Sequence, residues 1–318
     1  RAAATGMAVK VVTLGEFGSK FLESRKEQKS YNNSKTAVES LWRLMPDCGS
    51  LPLSKFSAAM AEDYVGRALD EVSGATVDRR LNVLSAMFNR AVREKLIEEN
   101  PFRGCRVPKW ALNESREREP FEAEEIHRIF KEFPGEWPDM IAVCLLLGGL
   151  RLGDVATLRW EVVDFERELI KVKDGKNNKP TLKPLIKPLL MILQRRRDAA
   201  GGWAKYVFPY AQLRYAQAGD KSSKLSTEFG KLLKESGIRG TSEFDERRAG
   251  KARHWESKTF HSLRTTSTTF LLDVGCPAEL VRHIVGHDDP AIERHHYYKP
   301  KSEIKQNYLE KLSDMLGL

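Results

Sequence analysis

Cysteine is scarce in this 318-residue chain, which has four: Cys48, Cys105, Cys144 and Cys276. None of them forms a CxxC pair, so the sequence lacks the spacing typical of a zinc site or a disulfide framework. We therefore expect packing cysteines in a protein of a reducing compartment, the cytoplasm or nucleoid.

Long apolar runs are also missing. The longest nearly uninterrupted run covers residues 140–150, includes two glycines and ends at Arg151. A membrane-spanning helix needs about 20 apolar residues, so no span is expected. A signal-peptide pattern is likewise absent from the N-terminal residues. The sequence thus predicts a protein without a membrane partner.

The chain is hydrophobic enough, at 41%, to exclude a disordered protein, and its length favours two domains. Lys and Arg number 53 against 44 Asp and Glu, a formal charge of +9. This surplus favours a polyanionic partner, but a solvated basic surface gives the same count.

Helical periodicity runs from Leu14 to about Asn100, where Pro101 disfavours helical geometry in the residue before it. In the clearest helix, apolar side chains recur at steps of four and three residues from Val77 to Ala91. Its other face is basic, either solvated or facing DNA. The DNA-binding candidates are the four arginines of that face and two arginines that follow the helix: Arg79, Arg80, Arg90, Arg93, Arg103 and Arg106.

An aperiodic, charged, proline-bearing stretch separates two regions. We predict a helical domain at residues 7–104, a linker at 105–120 and a second domain at 121–318. The second domain should be mainly helical, with a helix after Pro120, a buried helix at 140–147 and a β-hairpin around residues 174–179. Residues 237–257 predict a surface loop. The tail after Pro300 is amphipathic, so one of its faces should be buried.

Possible chemistry lies in three clusters. Arg151 and Asp154 follow a glycine pair. A cation at the N-terminus of a helix indicates an anion site, because the helix dipole is already positive there. The alternative is an arginine whose stem packs on the core while its charge reaches solvent. His261 and Arg264 are three residues apart, so on a helix they share a face that could bind phosphate or form an ordinary surface pair.

The third cluster is the histidine-rich run at residues 287–298. It offers potential metal ligands but lacks HxxxH or HExxH spacing, which argues against a metal. The ligands would be His287, Asp288, Asp289, His295 and His296.

In this order the clusters resemble the tyrosine recombinase (phage integrase) family over nearly the whole chain. The resemblance rests on GLRLGD at 149–154 with LRW at 158–160, GKNNK at 175–179 before PL at 184–185, HSLR at 261–264 with Thr268 or Thr269, and VGH at 285–287. The N-terminal region, ending at Asn100-Pro101, is similar to the family's helical core-binding (SAM-like) domain. The fold implied is mainly α, with an α+β catalytic domain carrying a small β-hairpin.

The resemblance places a nucleophilic tyrosine shortly after His287. The family's usual interval of nine residues lands on His296, so one extra residue, in the turn at 288–290, would bring Tyr297 into register. Ser302-Glu303 follow Tyr297 at the family's usual distance, which favours it, with Tyr298 as the alternative. Asp154 stands where the family usually has Glu, so the carboxylate is kept.

By this resemblance the catalytic set is Arg151, Lys176, His261, Arg264, His287 and Tyr297, with Asp154 in support. The implied activity is site-specific DNA recombination through a covalent 3′-phosphotyrosine and a Holliday junction, without a metal, ATP or another cofactor. The implied partners are double-stranded DNA at specific sites, three further copies of the chain and accessory DNA-bending proteins. The resemblance also implies that the amphipathic tail after Pro300 docks onto a neighbouring protomer, with packing in its own domain as the alternative. The alternatives are a metal-dependent nuclease and a degenerate recombinase that only binds DNA.

Overall fold

The computed structural model describes residues 11–112, 118–174, 179–201, 204–216, 223–244, 254–286 and 302–318. The chain divides into two compact units. The N-terminal unit comprises residues 1–116 with 244–254, and the C-terminal unit comprises 117–243 with 255–318. Within the described ranges, no helix is both long enough and apolar enough to cross a membrane.

The N-terminal unit is helical, as predicted. A capping box starts its first helix: the Thr13 hydroxyl accepts from the Glu16 amide at 3.2 Å, and the Glu16 carboxylate accepts from the Thr13 amide at 3.1 Å. The helices are α1 (Leu14–Glu23), α2 (Tyr31–Leu44), α3 (Ala58–Leu69), α4 (Gly74–Arg93) and the short α5 (Lys109–Leu112).

The predicted extension of the fourth helix to Asn100 is wrong, because α4 ends at Arg93. Lys95 has a φ of 57°, in the left-handed region, so the chain turns back instead of continuing the helix. Asn100 then donates to the Ser85 carbonyl at 3.2 Å, which fastens the returning segment to α4.

The returning segment completes the core of the N-terminal unit. Phe102 is only 3% exposed, and its ring centroid lies 5.4 Å from that of Phe88. Val107 and Ala111 are also buried there, and α5 packs against α4. Residues 105–112, expected in a linker, therefore pack as part of this unit.

Phe102→Ala tests whether this segment stabilises the N-terminal unit. Removing a fully packed aromatic ring from a core costs about 3–5 kcal/mol, so we expect a loss of that order in the free energy of unfolding. Urea unfolding measures the loss, and faster amide hydrogen exchange in α4 assigns it to this unit. The exposed neighbour Arg103→Ala should change neither; equal effects of the two variants would contradict the packing role.

The C-terminal unit surrounds α7, whose residues from Met140 to Leu146 are all buried. A capping box of Glu122 and Glu125 starts α6, in the place predicted after Pro120. The helices are α6 (Ala123–Glu132), α7 (Trp137–Leu146), α8 (Leu152–Ala156), α9 (Lys187–Ala199), α10 (Pro209–Ala216), α11 (Ser223–Glu235), α12 (Ser262–Asp273), α13 (Ala278–Val285) and α14 (Ser302–Leu316).

The predicted hairpin is present in a three-stranded antiparallel sheet, ordered β1 (Val163–Asp164), β2 (Leu169–Asp174) and β3 (Lys179–Pro184). The predicted loop at 237–257 instead contains β4 (Ser242–Phe244) and β5 (His254–Glu256), which form a two-stranded sheet. Of the two roles left open for the C-terminal tail, the structure shows packing within its own unit. α14 contacts α6, α7, α12 and β3 and buries Leu309, Leu312 and Leu316.

Candidate active site

Two consecutive glycines bring three segments of the C-terminal unit together. Gly148 and Gly149 have φ values of 77° and 73°, which favour glycine. A β-carbon on Gly149 would lie 2.4 Å from the Arg264 Cα, and one on Gly148 would lie 2.4 Å from the Ile284 carbonyl oxygen. The turn after α7 therefore packs directly on α12 and α13, closer than any side chain would permit.

Arg264 uses this close approach. Its guanidinium donates from Nη1 to the Gly149 carbonyl at 3.0 Å and from Nη2 to the Gly286 carbonyl at 3.1 Å. The side chain is half-buried in α12. These two bonds fix the plane of a permanently charged group between the glycine turn and the end of α13.

Arg151 is the N-cap of α8, two residues after the glycine turn. Its side chain is 43% exposed, and Nη1 lies 3.8 Å from a carboxylate oxygen of Asp154. This accessible charge adds to the positive end of a short helix, an arrangement that attracts an anion.

His261 precedes α12 as its N-cap and remains exposed on one side. The turn before it is held by Ser262, whose hydroxyl accepts from the Thr259 amide at 3.0 Å and donates to the Ser257 carbonyl at 2.9 Å. Desolvation lowers the pKa of His261, and the charges of Arg264, Arg118 and Arg151 lower it further. The imidazole is therefore neutral near pH 7 and can accept a proton.

The structure thus groups Arg151, His261 and Arg264, with Asp154 beside Arg151. Their catalytic roles stay predictions. The structure adds Arg118, which the sequence analysis left in the linker; Arg118 donates to the Glu256 carbonyl at 2.6 Å and its charge acts on His261. The expected Lys176, His287, Tyr297 and Tyr298 lie outside the described residues.

The DNA-binding candidates of the N-terminal unit fall into two groups. Arg80 is half-buried and donates to the Ser40 hydroxyl at 2.8 Å, whereas Arg90 binds Glu94 at 2.7 Å and Ser24 at 2.6 Å. Both arginines therefore already have partners within the unit. The exposed members are Arg79, Arg93, Arg103 and Arg106.

Among the described residues, no group of three or more His, Cys, Asp or Glu side chains is placed to hold a metal. The histidine-rich run considered as a metal site, residues 287–298, lies outside them.

Comparison with known families matches both units. Residues 119–303 match the model described as phage integrase family, and residues 13–110 match the phage integrase SAM-like domain. The second match includes residues 105–110, consistent with their packing in the N-terminal unit.

Among curated proteins, the chain is 26% identical over 269 residues to a tyrosine recombinase XerC-like protein of Caldanaerobacter subterraneus subsp. tengcongensis, covering 76% of this chain and 67% of that one. It is 28% identical over 171 residues to tyrosine recombinase XerA of Pyrococcus furiosus, covering 52% of this chain and 51% of that one.

Solved structures share the fold. A lambda integrase dimer bound to a COC′ core site matches with a TM-score of 0.66 at 18% identity, over 91% of this chain and 99% of that one. The Tn1549 transposon integrase in complex with a circular intermediate DNA matches with a TM-score of 0.61 at 19% identity, over 94% and 99% of the two chains.

Arg118→Gln should raise the pKa of His261, because one of the charges that disfavour imidazolium is removed. Folding lowers this pKa from an unfolded value of about 6.5, so the group favours the folded state above that pH. That stability is lost as the pH falls through the folded pKa, and Arg118→Gln should reduce the loss. NMR titration of the His261 ring proton measures the shift.

Arg128→Gln is the matched control, since Arg128 also donates to a backbone carbonyl, that of Ser236 at 3.3 Å, but is not among the charges that shift His261. An unchanged pKa in Arg118→Gln, or an equal rise in Arg128→Gln, would count against the proposed electrostatic coupling.

Gly149→Ala should be far more disruptive than Gly135→Ala. Both glycines have positive φ, at 73° and 64°, so each alanine pays the left-handed penalty of about 1–2 kcal/mol. Only the alanine at 149 also collides, with Arg264, because nothing lies within 4 Å of a β-carbon on Gly135. Thermal unfolding of both variants measures the difference; equal destabilisation would show that the close approach is unimportant.

Proposed function

Because the chain belongs to the phage integrase family, whose model matches more than half of it, we propose that it is a site-specific DNA recombinase of the tyrosine type. The observation that carries this proposal is the grouping of Arg151 and Arg264 with His261 in the C-terminal unit, where the charges of both arginines help to lower the pKa of His261. Two guanidinium groups, of which Arg264 is fixed by backbone carbonyls and Arg151 is accessible, suit a phosphodiester, and the imidazole beside them can take up a proton.

The charge requirement of the reaction explains the two arginines. Attack on a phosphodiester builds negative charge on its nonbridging oxygens, and donors already held in place stabilise that charge. Arg264 is held by two carbonyls at 3.0 and 3.1 Å, so little reorganisation is needed when the phosphate arrives. Because the guanidinium groups supply the positive charge, the reaction needs no metal cofactor.

The nucleophile of this proposal is Tyr297, with Tyr298 as the alternative. Its phenolic oxygen forms a bond to phosphorus, the bond from phosphorus to the 5′ oxygen breaks, and the 3′ phosphate remains on the enzyme. His261 takes the phenolic proton or binds the phosphate. Lys176 delivers a proton to the departing 5′ oxygen, and His287 donates a hydrogen bond to the phosphate. A 5′ hydroxyl of another strand then reverses the step, so no ATP is consumed.

The N-terminal unit serves as the core-binding domain, with the exposed Arg79, Arg93, Arg103 and Arg106 available to a duplex. Because the proposed substrate is DNA, the proposed location of the protein is the cytoplasm, at the nucleoid. Lambda integrase has been solved as a tetramer bound to a Holliday junction, and the shared fold supports a four-protomer assembly on two DNA sites here, assisted by DNA-bending proteins.

Trapping on nicked DNA tests the proposal. A suicide substrate that loses its short 5′-hydroxyl fragment should leave a covalent protein–DNA adduct, resistant to EDTA, with the DNA on Tyr297 by mass spectrometry. Tyr297→Phe should abolish the adduct, because phenylalanine lacks the attacking oxygen. Tyr308→Phe in α14 is the matched control and should retain it.

The alternatives give different outcomes. Loss of the adduct only in Tyr298→Phe would exchange the two tyrosines without changing the reaction. Cleavage that persists in the double variant and disappears with EDTA would favour the metal-dependent nuclease. Duplex binding without an adduct in the unchanged chain would favour a protein that only binds DNA.

A further inference from the structure

A lysine is buried behind the candidate active site. Lys183 is 3% exposed, on the inner face of β3 and paired with Ile170 of β2. Its neighbour Leu182 is 58% exposed on the outer face, paired with Lys171. The strand therefore turns its charged side chain inward and its apolar one outward, the reverse of the usual arrangement. Burying an ammonium is costly without strong partners, so its partners are informative.

The ammonium of Lys183 joins the ends of two helices. Nζ donates to the Leu147 carbonyl at 2.7 Å and to the Ile284 carbonyl at 2.8 Å. Leu147 is the C-cap of α7, and Ile284 lies in the last turn of α13. Carbonyls at helix C-termini lack intrahelical donors and lie at the negative end of the helix dipole, so a cation is well placed there.

Arg264 repeats the same connection two residues further along both segments, through Gly149 and Gly286. We call the four carbonyls with Lys183 and Arg264 the cation bridge. Its inner cation is inaccessible to DNA, whereas its outer cation belongs to the candidate active site. The two segments that it joins lead directly to Arg151 and to His287, the residue after Gly286.

We infer that Lys183 is a positioning residue, which holds the turn after α7 and the end of α13 at a fixed separation so that Arg151 and Arg264 meet one phosphate. This inference rests on the proposed recombinase function. An apolar side chain would fill the same space on β3, but it would leave the Leu147 and Ile284 carbonyls without this donor. Lys183 also belongs to the strand that follows Lys176, so it fixes that strand to both segments.

Lys183→Met tests the inference, because methionine retains the unbranched shape and removes the ammonium. Single-turnover cleavage of the suicide substrate at saturating DNA should fall on the order of 10²-fold, the loss expected when catalytic groups are misplaced by about 1 Å. The Kd for duplex DNA should stay within about threefold, since Lys183 does not face DNA. Lys171→Met, on the exposed face of the same sheet, is the control and should leave cleavage unchanged.

Amide hydrogen exchange provides a readout that does not depend on catalysis. In Lys183→Met the amides of Gly149 and Gly286, which bond to the Cys144 and Arg282 carbonyls at 2.8 Å each, should exchange faster together. Faster exchange of both amides would support the inference about Lys183 whether or not the unchanged chain forms an adduct. Absence of an adduct in the unchanged chain would instead contradict the recombinase proposal.

The inference is overturned if Lys183→Met leaves cleavage and both amides as in the unchanged chain, or if Kd rises as much as cleavage falls. Should Lys183→Met fail to fold, Lys183→Arg retains a charged donor and is expected to recover folding and part of the cleavage rate. Failure of both variants to fold would assign Lys183 to stability alone and contradict the inference.

Discussion

The contact between cations and backbone carbonyls at the end of α7 is the interaction on which the candidate active site depends. Arg264 bonds to Gly149 and Gly286, and these bonds require the glycine turn to approach α12 at a distance that excludes a β-carbon. Because the carbonyls belong to helix ends and turns, they need donors in any case. The guanidinium of Arg264 therefore satisfies the hydrogen bonding of these carbonyls and also presents its charge to a substrate. This double role explains why the site lies where three segments converge.

The clearest helices were predictable because apolar residues recur with the period of a helix buried on one face. The apolar residues that recur from Val77 to Ala91 identify α4, and the acidic first turn with its capping box identifies α6. The end of α4 was not predictable in this way. It depends on a left-handed Lys95 and on the packing of Phe102 between distant rings, and neither leaves a periodic signal. The short strands β4 and β5 were not predicted either, because the charged and glycine-bearing composition of residues 237–257 is typical of loops.

The candidate site was predictable from the resemblance to the integrase family, since each cluster taken alone had an ordinary structural alternative. A glycine pair before an arginine, and a histidine three residues before another arginine, placed Arg151, His261 and Arg264 on the correct elements. Arg118 and Lys183 were not found, because each acts through tertiary contacts. A lysine in a strand ordinarily points to solvent, and only the register with Ile170 shows that Lys183 points inward. Nearby apolar residues on the exposed face, such as Leu182, further obscure the alternation.

The electrostatics of His261 connect the free protein to the proposed reaction. The arginines that lower its pKa include both that would bind the phosphate, so the imidazole is neutral and ready to accept a proton before DNA arrives. A bound phosphate brings negative charge to those arginines and offsets their effect on the ring. The pKa of His261 therefore rises on binding, and the ring becomes a better acceptor when the tyrosine must lose its proton. A histidine far from these arginines would lack this coupling, which is why the grouping of the three side chains matters more than the presence of any one of them.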